Sequence, residues 1–225
     1  MKSNRFLTAM CALVVLSGCV ASPEIQMGEN ARVNDEGLHF VDNTIMDEVW
    51  FRPDADLTGY TKIIIVAAET QFVDAENASA NMQKKHERFN KIMLEEFTEA
   101  LAELQNFEIT DTAGPDVLLM NGAVLNVELV EETSGAFERV FARELGSADL
   151  VIDLRDSTTG QAIAVARDNR VLDGVPVGPR GELTEATDTA VWSAVRRQAR
   201  SWATLVRSRL DTLATYRLNG ESAAR

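Results

Sequence analysis

The chain has 225 residues, 45% apolar and 25% charged, an ordinary globular balance with length for one core and a leader. Its formal net charge of −13 disfavours nonspecific contact with phosphate backbones, which argues against a nucleic-acid role. The two cysteines, Cys11 and Cys19, both lie near the N-terminus, so no disulfide framework can hold the domain.

Lys2 and Arg5 precede an apolar run from Phe6 to Leu16. The run is far short of the roughly 20 residues that span a bilayer, which predicts a secretory signal over 1–18. Leu16-Ser17-Gly18-Cys19 follows it and resembles the lipobox of bacterial lipoproteins. That resemblance implies cleavage before Cys19 and a diacylglyceryl thioether on its sulfur, often with a further acyl chain such as palmitate on the amine. Val20, in place of an aspartate, implies sorting to the outer membrane, on its periplasmic face. The competing reading is an ordinary cut after Ala21. Lys2, Arg5 and Cys11 would leave with the signal, so Cys19 would be the only cysteine of the mature chain.

Residues 19–47 show no sustained period and read as a lipidated N-terminus and polar tether, with a short ordered patch at Leu38-His39-Phe40-Val41. Fully extended, about 26 residues at roughly 3.3 Å each would reach some 80 Å. Packing of this stretch on the domain is the open alternative.

The domain is expected over 48–217, with a tail at 218–225. Glu48-Val49-Trp50-Phe51-Arg52-Pro53 leads through Gly59-Tyr60-Thr61-Lys62 into Ile63-Ile64-Ile65-Val66, apolar on both faces as a central strand should be. An aromatic, Arg-Pro and then Gly-Tyr-Thr-Lys entering an apolar strand resembles the bacterial lipoproteins grouped as "domain of unknown function 3313". The likeness covers roughly Trp50 to Leu213. It implies a fold and supplies no catalytic residues.

A helix is predicted from about Asn81 to Gln105, because Phe89, Ile92, Met93, Phe97, Ala100, Leu101 and Leu104 recur at helical spacing. Its polar face carries Lys84, Lys85 and Arg88 early and Glu95, Glu96, Glu99 and Glu103 late, against the macrodipole. That face is either solvated or a dock for a basic partner or divalent cation. Phe107-Glu108-Ile109 reads as a short strand. Val117 to Val130 alternates, with Leu119, Ala123, Leu125, Val127 and Leu129 on one face and a bend at Gly122. Phe137, Val140, Phe141 and Leu145 plug the core or form a contact surface.

Leu150, Ile152 and Leu154 alternate with Asp149, Asp153 and Arg155, and Asp156 to Gly160 turns the chain back into Ile163 and Val165. A four-residue loop would pair Leu154 with Ile163 and Ile152 with Val165. Gly174, Gly178 and Gly181 lie in a loop with no P-loop lysine. The last helix is expected from Thr184 as N-cap, burying Val191, Val195, Ala199, Trp202, Val206, Leu210 and Leu213. Arg196, Arg200 and Arg207, with Arg197 beside them, form a basic stripe on its other face. The stripe is either solvated or a partner contact: acidic headgroups, wall polymer, or the acidic first helix of another copy.

His39 and His86 have no neighbours at metal-ligand spacing, and no Gly-x-Ser-x-Gly elbow occurs. Asp149, Asp153 and Asp168 are the one carboxylate set that could converge as in a glycosidase. Outward charges on strands are the plainer reading. The expectation is a two-layer α/β (α+β) sandwich, with a mixed, mostly antiparallel sheet and two long helices in the order β-α-β-β-β-β-α. The expected function is that of a noncatalytic periplasmic lipoprotein acting through envelope protein contacts, with no cofactor beyond its covalent lipid. The alternatives are an accessory subunit of a transport system and an envelope hydrolase.

Overall fold

The computed structural model describes residues 22–73, 75–129, 141–142, 144–173, 184–185 and 187–223. Cys19, Phe137, Val140 and the three loop glycines lie outside these. Ten strands and two long helices follow in chain order: β1 (Glu24–Ile25), β2 (His39–Asp42), β3 (Glu48–Phe51), β4 (Lys62–Phe72), α1 (Ala80–Leu101), β5 (Glu108–Ile109), β6 (Val117–Leu129), β7 (Phe141–Ala142), β8 (Glu144–Asp156), β9 (Ala162–Asp173), β10 (Thr184–Glu185) and α2 (Asp188–Ala223).

Eight strands form one sheet in the order β1-β2-β3-β9-β8-β6-β4-β5. β4 pairs in parallel with β5 and β6, and every other pairing in this sheet is antiparallel. Parallel neighbours need a crossover, and α1 supplies it between β4 and β5. Ile63, Leu118, Met120, Val124, Leu150 and Leu154 face the helices and share one core with Phe89, Ile92, Val195 and Trp202. The result is the two-layer, mostly antiparallel sandwich that periodicity predicts.

The order β-α-β-β-β-β-α is enlarged at its start. Residues 22–47 are folded onto the domain: Leu38 is 0% exposed, and Val41 and Met46 are buried. β2 and β3 pair through His39↔Phe51 and Phe40↔Trp50, and β3 pairs with β9 through Trp50↔Val165. Phe40 and Trp50 meet edge to face at 5.2 Å with the Arg32 guanidinium 3.8 Å over Phe40. Over these residues the polar-tether reading is corrected. Few apolar side chains, spaced without a period, are enough when each meets a sheet edge.

Two bulges also change the expected faces. Asn126, at φ 52°, breaks the β6–β8 register between Leu125 and Glu128. The strand therefore switches phase there and not at Gly122. Val124 and Val127 are buried, while Leu119 and Leu125 fall on the half-exposed outer face. In the hairpin, Arg155 pairs with Ala162 as the four-residue loop requires, but Leu154 then pairs with Ala164 and Ile152 with Ala166. Ile163 is the extra residue, and Arg52 holds the bulge open from both sides. Its backbone N–H donates to Ile163 O at 2.8 Å and its Nε to Ala162 O at 2.6 Å. Val165 consequently turns to the outer face, opposite Asp153.

α1 begins where Ser79 accepts the Met82 N–H on its hydroxyl. α2 begins at Asp188 and not at Thr184, because Thr184 and Glu185 are taken up in a ladder with Ala142 and Phe141. Thr187 caps instead, accepting the Ala190 N–H at 3.2 Å. Among the described residues, no helix is long and apolar enough to cross a membrane.

Candidate functional site

The residues singled out for chemistry are held apart or used in packing. Leu150 pairs with Asp168 and Asp149 with Asn169, so Asp168 points to the helices while Asp149 and Asp153 point away. Asp149 accepts from Asn126 and Asn169, and Asp153 from Arg155 Nε at 2.7 Å. Asp168, 1% exposed, accepts from Arg170 and from the Trp202 indole. The three carboxylates do not converge, and the glycosidase-like arrangement is ruled out by register alone.

The basic stripe is likewise engaged within the chain. Arg196 donates to Glu96 at 2.7 Å and to Glu95 at 3.2 Å, and Arg200 donates to Glu96 at 2.8 Å. Arg207 pairs with Glu103. The acidic first helix offered as a partner from another copy is the chain's own α1, packed beside α2. Arg196, Arg200 and Arg207, expected as solvated or as a partner contact, thus each meet a carboxylate of α1, with Arg196 and Arg200 still 45% and 65% exposed. The like charges stacked along α1 are tolerated because guanidinium groups from α2 interleave with them. Glu96 is 3% exposed, and the hydrogen bonds from Arg200 and Arg196 outweigh burial and hold its carboxyl below the usual range.

His39 Nδ1 lies 2.6 Å from Gln26 O, and His86 stacks on Phe72 with ring centroids 3.7 Å apart. No group of three His, Cys, Asp or Glu able to hold a metal ion occurs among the described residues. Leu145 is fully buried, in keeping with a core plug.

The motif residues tie loops to the sheet. Tyr60 donates its hydroxyl to Asp156 at 2.8 Å, closing the hairpin turn against the entry to β4. Burial first, and the Asp156 carboxylate second, push its phenol up to about 12. Lys62 pairs with Asp116 at 3.1 Å.

What sequence reasoning missed is a cavity of about 750 Å³ between the sheet and the second half of α2. Its floor is Ile152, Leu154, Ala164 and Ala166 of β8 and β9. Val206, Leu210 and Leu213 of α2 form one wall. Opposite stand Val49 and Phe51 of β3 and Leu57 after it, while Val41, Met46, Ile25 of β1 and Pro23 just before it close the side. The space exists because the Ile163 bulge turns two alanines toward α2 where larger side chains would reach it. The loop bearing Ile45 and Met46 is pinned to β9 by Asn169 N–H to Asp47 at 2.7 Å and Arg170 to Ile45 O at 3.4 Å. Polar groups stand among the lining residues too: Glu24, Asp56, Thr58, Arg209 and Thr212. The volume lies within the roughly 300–1,000 Å³ of small-ligand sites. Alternation of Ala and Val in β9 is the one sequence signal that could have pointed to it, and only with the bulge in hand.

No family model matches the chain, and no curated protein matches it. The likeness to "domain of unknown function 3313" therefore stays one of motif and element order. Solved structures do align with it. One is a presumed lipoprotein from Caulobacter crescentus CB15, at TM-score 0.37 and 17% identity over 74% of this chain and 98% of that one. Another is the PelC dodecamer from Paraburkholderia phytofirmans, at TM-score 0.33 and 14% identity over 71% and 91%. A third is XCC0632 from Xanthomonas campestris, of the DUF330 family, at TM-score 0.39 and 8% identity over 73% and 88%. At these scores they carry no argument about activity, partner or assembly.

Proposed function

We propose that the protein is a membrane-anchored, noncatalytic lipoprotein of the bacterial envelope, acylated at Cys19 and held on the periplasmic face of the outer membrane. The observation that carries this reading is the lipobox itself, with Cys19 as the only cysteine left after cleavage. Two or three acyl chains, at about 0.8 kcal/mol per buried methylene, make such attachment effectively permanent. β1 begins at Glu24, five residues after Cys19 in the sequence, so the chain between them spans roughly 17 Å at most. The domain then acts by binding, in envelope assembly or maintenance. A service to an envelope transport system is the second reading, favoured by the apolar cavity.

The test is Cys19→Ser, followed by membrane fractionation and intact mass. Loss of the acyl mass with release or accumulation of precursor is the expected result. Unchanged fractionation and mass would overturn the proposal.

A further inference from the structure

The cavity beneath β1–β3 is the feature that neither packing nor anchoring explains. We propose that it takes one acyl chain of a zwitterionic phospholipid, with the lipid phosphate at Arg209 and the headgroup ammonium between Glu24 and Asp56. The inference stands on the cavity walls, and it rests on the lipoprotein reading only for the nearness of a membrane.

The wall chemistry selects the chain. A floor of alanine and branched aliphatic side chains offers nothing to hydrogen-bond a polar ligand, whose buried polar groups would be left unpaired. A flexible aliphatic chain loses nothing there.

The rim chemistry selects the head. Arg209 is half-buried and makes no hydrogen bond or ion pair among the described residues, although other arginines of α2 are engaged. A guanidinium fork matches phosphate oxygens two at a time. Glu24 is exposed and also without a partner among the described residues, while Asp56 commits its Oδ1 to Thr58. A simple anion would satisfy Arg209 and meet two carboxylates. A dipolar head satisfies both signs.

The rim also carries an exposed apolar side chain. Ile45 lines the cavity yet is 64% exposed. Pro23 lines it too and follows Cys19 by four residues, which span roughly 14 Å at most. A membrane that holds Cys19 is therefore within reach of the opening.

The experiment is photocrosslinking of the purified full chain to phosphatidylethanolamine vesicles whose lipid carries a diazirine at the acyl terminus, with adducts mapped by peptide mass spectrometry. Expected are adducts on the β9 floor and on the α2 wall around Leu210. Ala166→Phe, which fills the floor, should lower them about tenfold, and Arg209→Gln by a smaller factor. Phosphatidylglycerol, which lacks the ammonium, should label several-fold less. Circular dichroism and melting show whether Ala166→Phe is folded. If it is not, Ala164→Leu is judged by the same criterion.

Adducts confined to other surfaces, or unmoved by a folded cavity-filling variant, would overturn the proposal. Equal labelling by both lipids with no effect of Arg209→Gln would overturn the headgroup assignment. Labelling only in Cys19→Ser protein would mean the chain's own acyl group occupies the cavity, and would also overturn it. Intact mass read on the same sample tests the anchor separately, so an unmodified Cys19 leaves the adduct map interpretable.

Discussion

Trp202 of α2 donates its indole N–H to Asp168 of β9 at 2.7 Å, and both side chains are almost fully buried. The carboxylate survives burial because Arg170 Nε at 2.8 Å and Arg170 Nη2 at 2.7 Å reach it from the partly open side. One contact thereby fixes how the second helix is turned on the sheet.

Asp168→Ala should destabilise the domain by about 3 kcal/mol, by stripping charge-assisted hydrogen bonds and leaving the indole N–H unpaired. Trp202→Phe should cost less. Urea unfolding of both single variants and the double variant should give a coupling above about 1 kcal/mol. Additive effects would mean that the contact contributes nothing.

Acid should loosen the helix pair. The Glu96 carboxyl is held below its ordinary value, 4.5, in the folded protein. The unfolded chain therefore takes up this proton first as pH falls. The contribution is complete above about 4.5 and is lost as pH drops through the lower folded value. Glu96→Gln should flatten that part of a plot of urea midpoint against pH, at a cost near neutrality of about 1.5–3 kcal/mol.

Alkali should act on the hairpin turn. Tyr60 is raised to about 12 from 10.0 by burial and by the Asp156 carboxylate. The unfolded phenol ionises first, so the stability this group contributes is whole below about pH 10 and lost as pH rises toward 12. Tyr60→Phe should remove the dependence, and the wild-type tyrosinate absorbance should rise late.

Two glycines should behave unequally. Gly146, at φ 152°, would place a Cβ 2.2 Å from Glu128 O, a backbone atom that cannot step aside. Gly146→Ala should cost more than about 2 kcal/mol. Gly160, at φ 71° in the hairpin turn, has open space around it, and its alanine variant should cost about 1 kcal/mol. Thermal melting of the two variants compares them directly.

The helical stripes of α1 and α2 and the existence of the β8–β9 hairpin were legible in the sequence because each repeats a local period over many residues. The start of α2 was not, since Thr184 has cap chemistry that a remote partner, Ala142, overrides. β1 was not legible either, as a two-residue strand shows no alternation, and the ordered patch at Leu38-His39-Phe40-Val41 marked the place of β2 without its partners.

For the candidate site, the sequence by itself determined the lipobox-like run Leu16-Ser17-Gly18-Cys19, the confinement of both cysteines to the N-terminus and the charge of each helix face, all of which depend on residue identity and spacing. Tertiary structure alone decided that those helix charges meet each other, that Asp168 parts company with Asp149 and Asp153, and that a cavity opens above Ala164 and Ala166. The helix charges meet because both helices pack side by side on one face of the sheet; the other two outcomes follow from bulges. A single unpaired residue, such as Ile163 or Asn126, reverses every side chain beyond it, and only the neighbouring strand reveals where that residue falls.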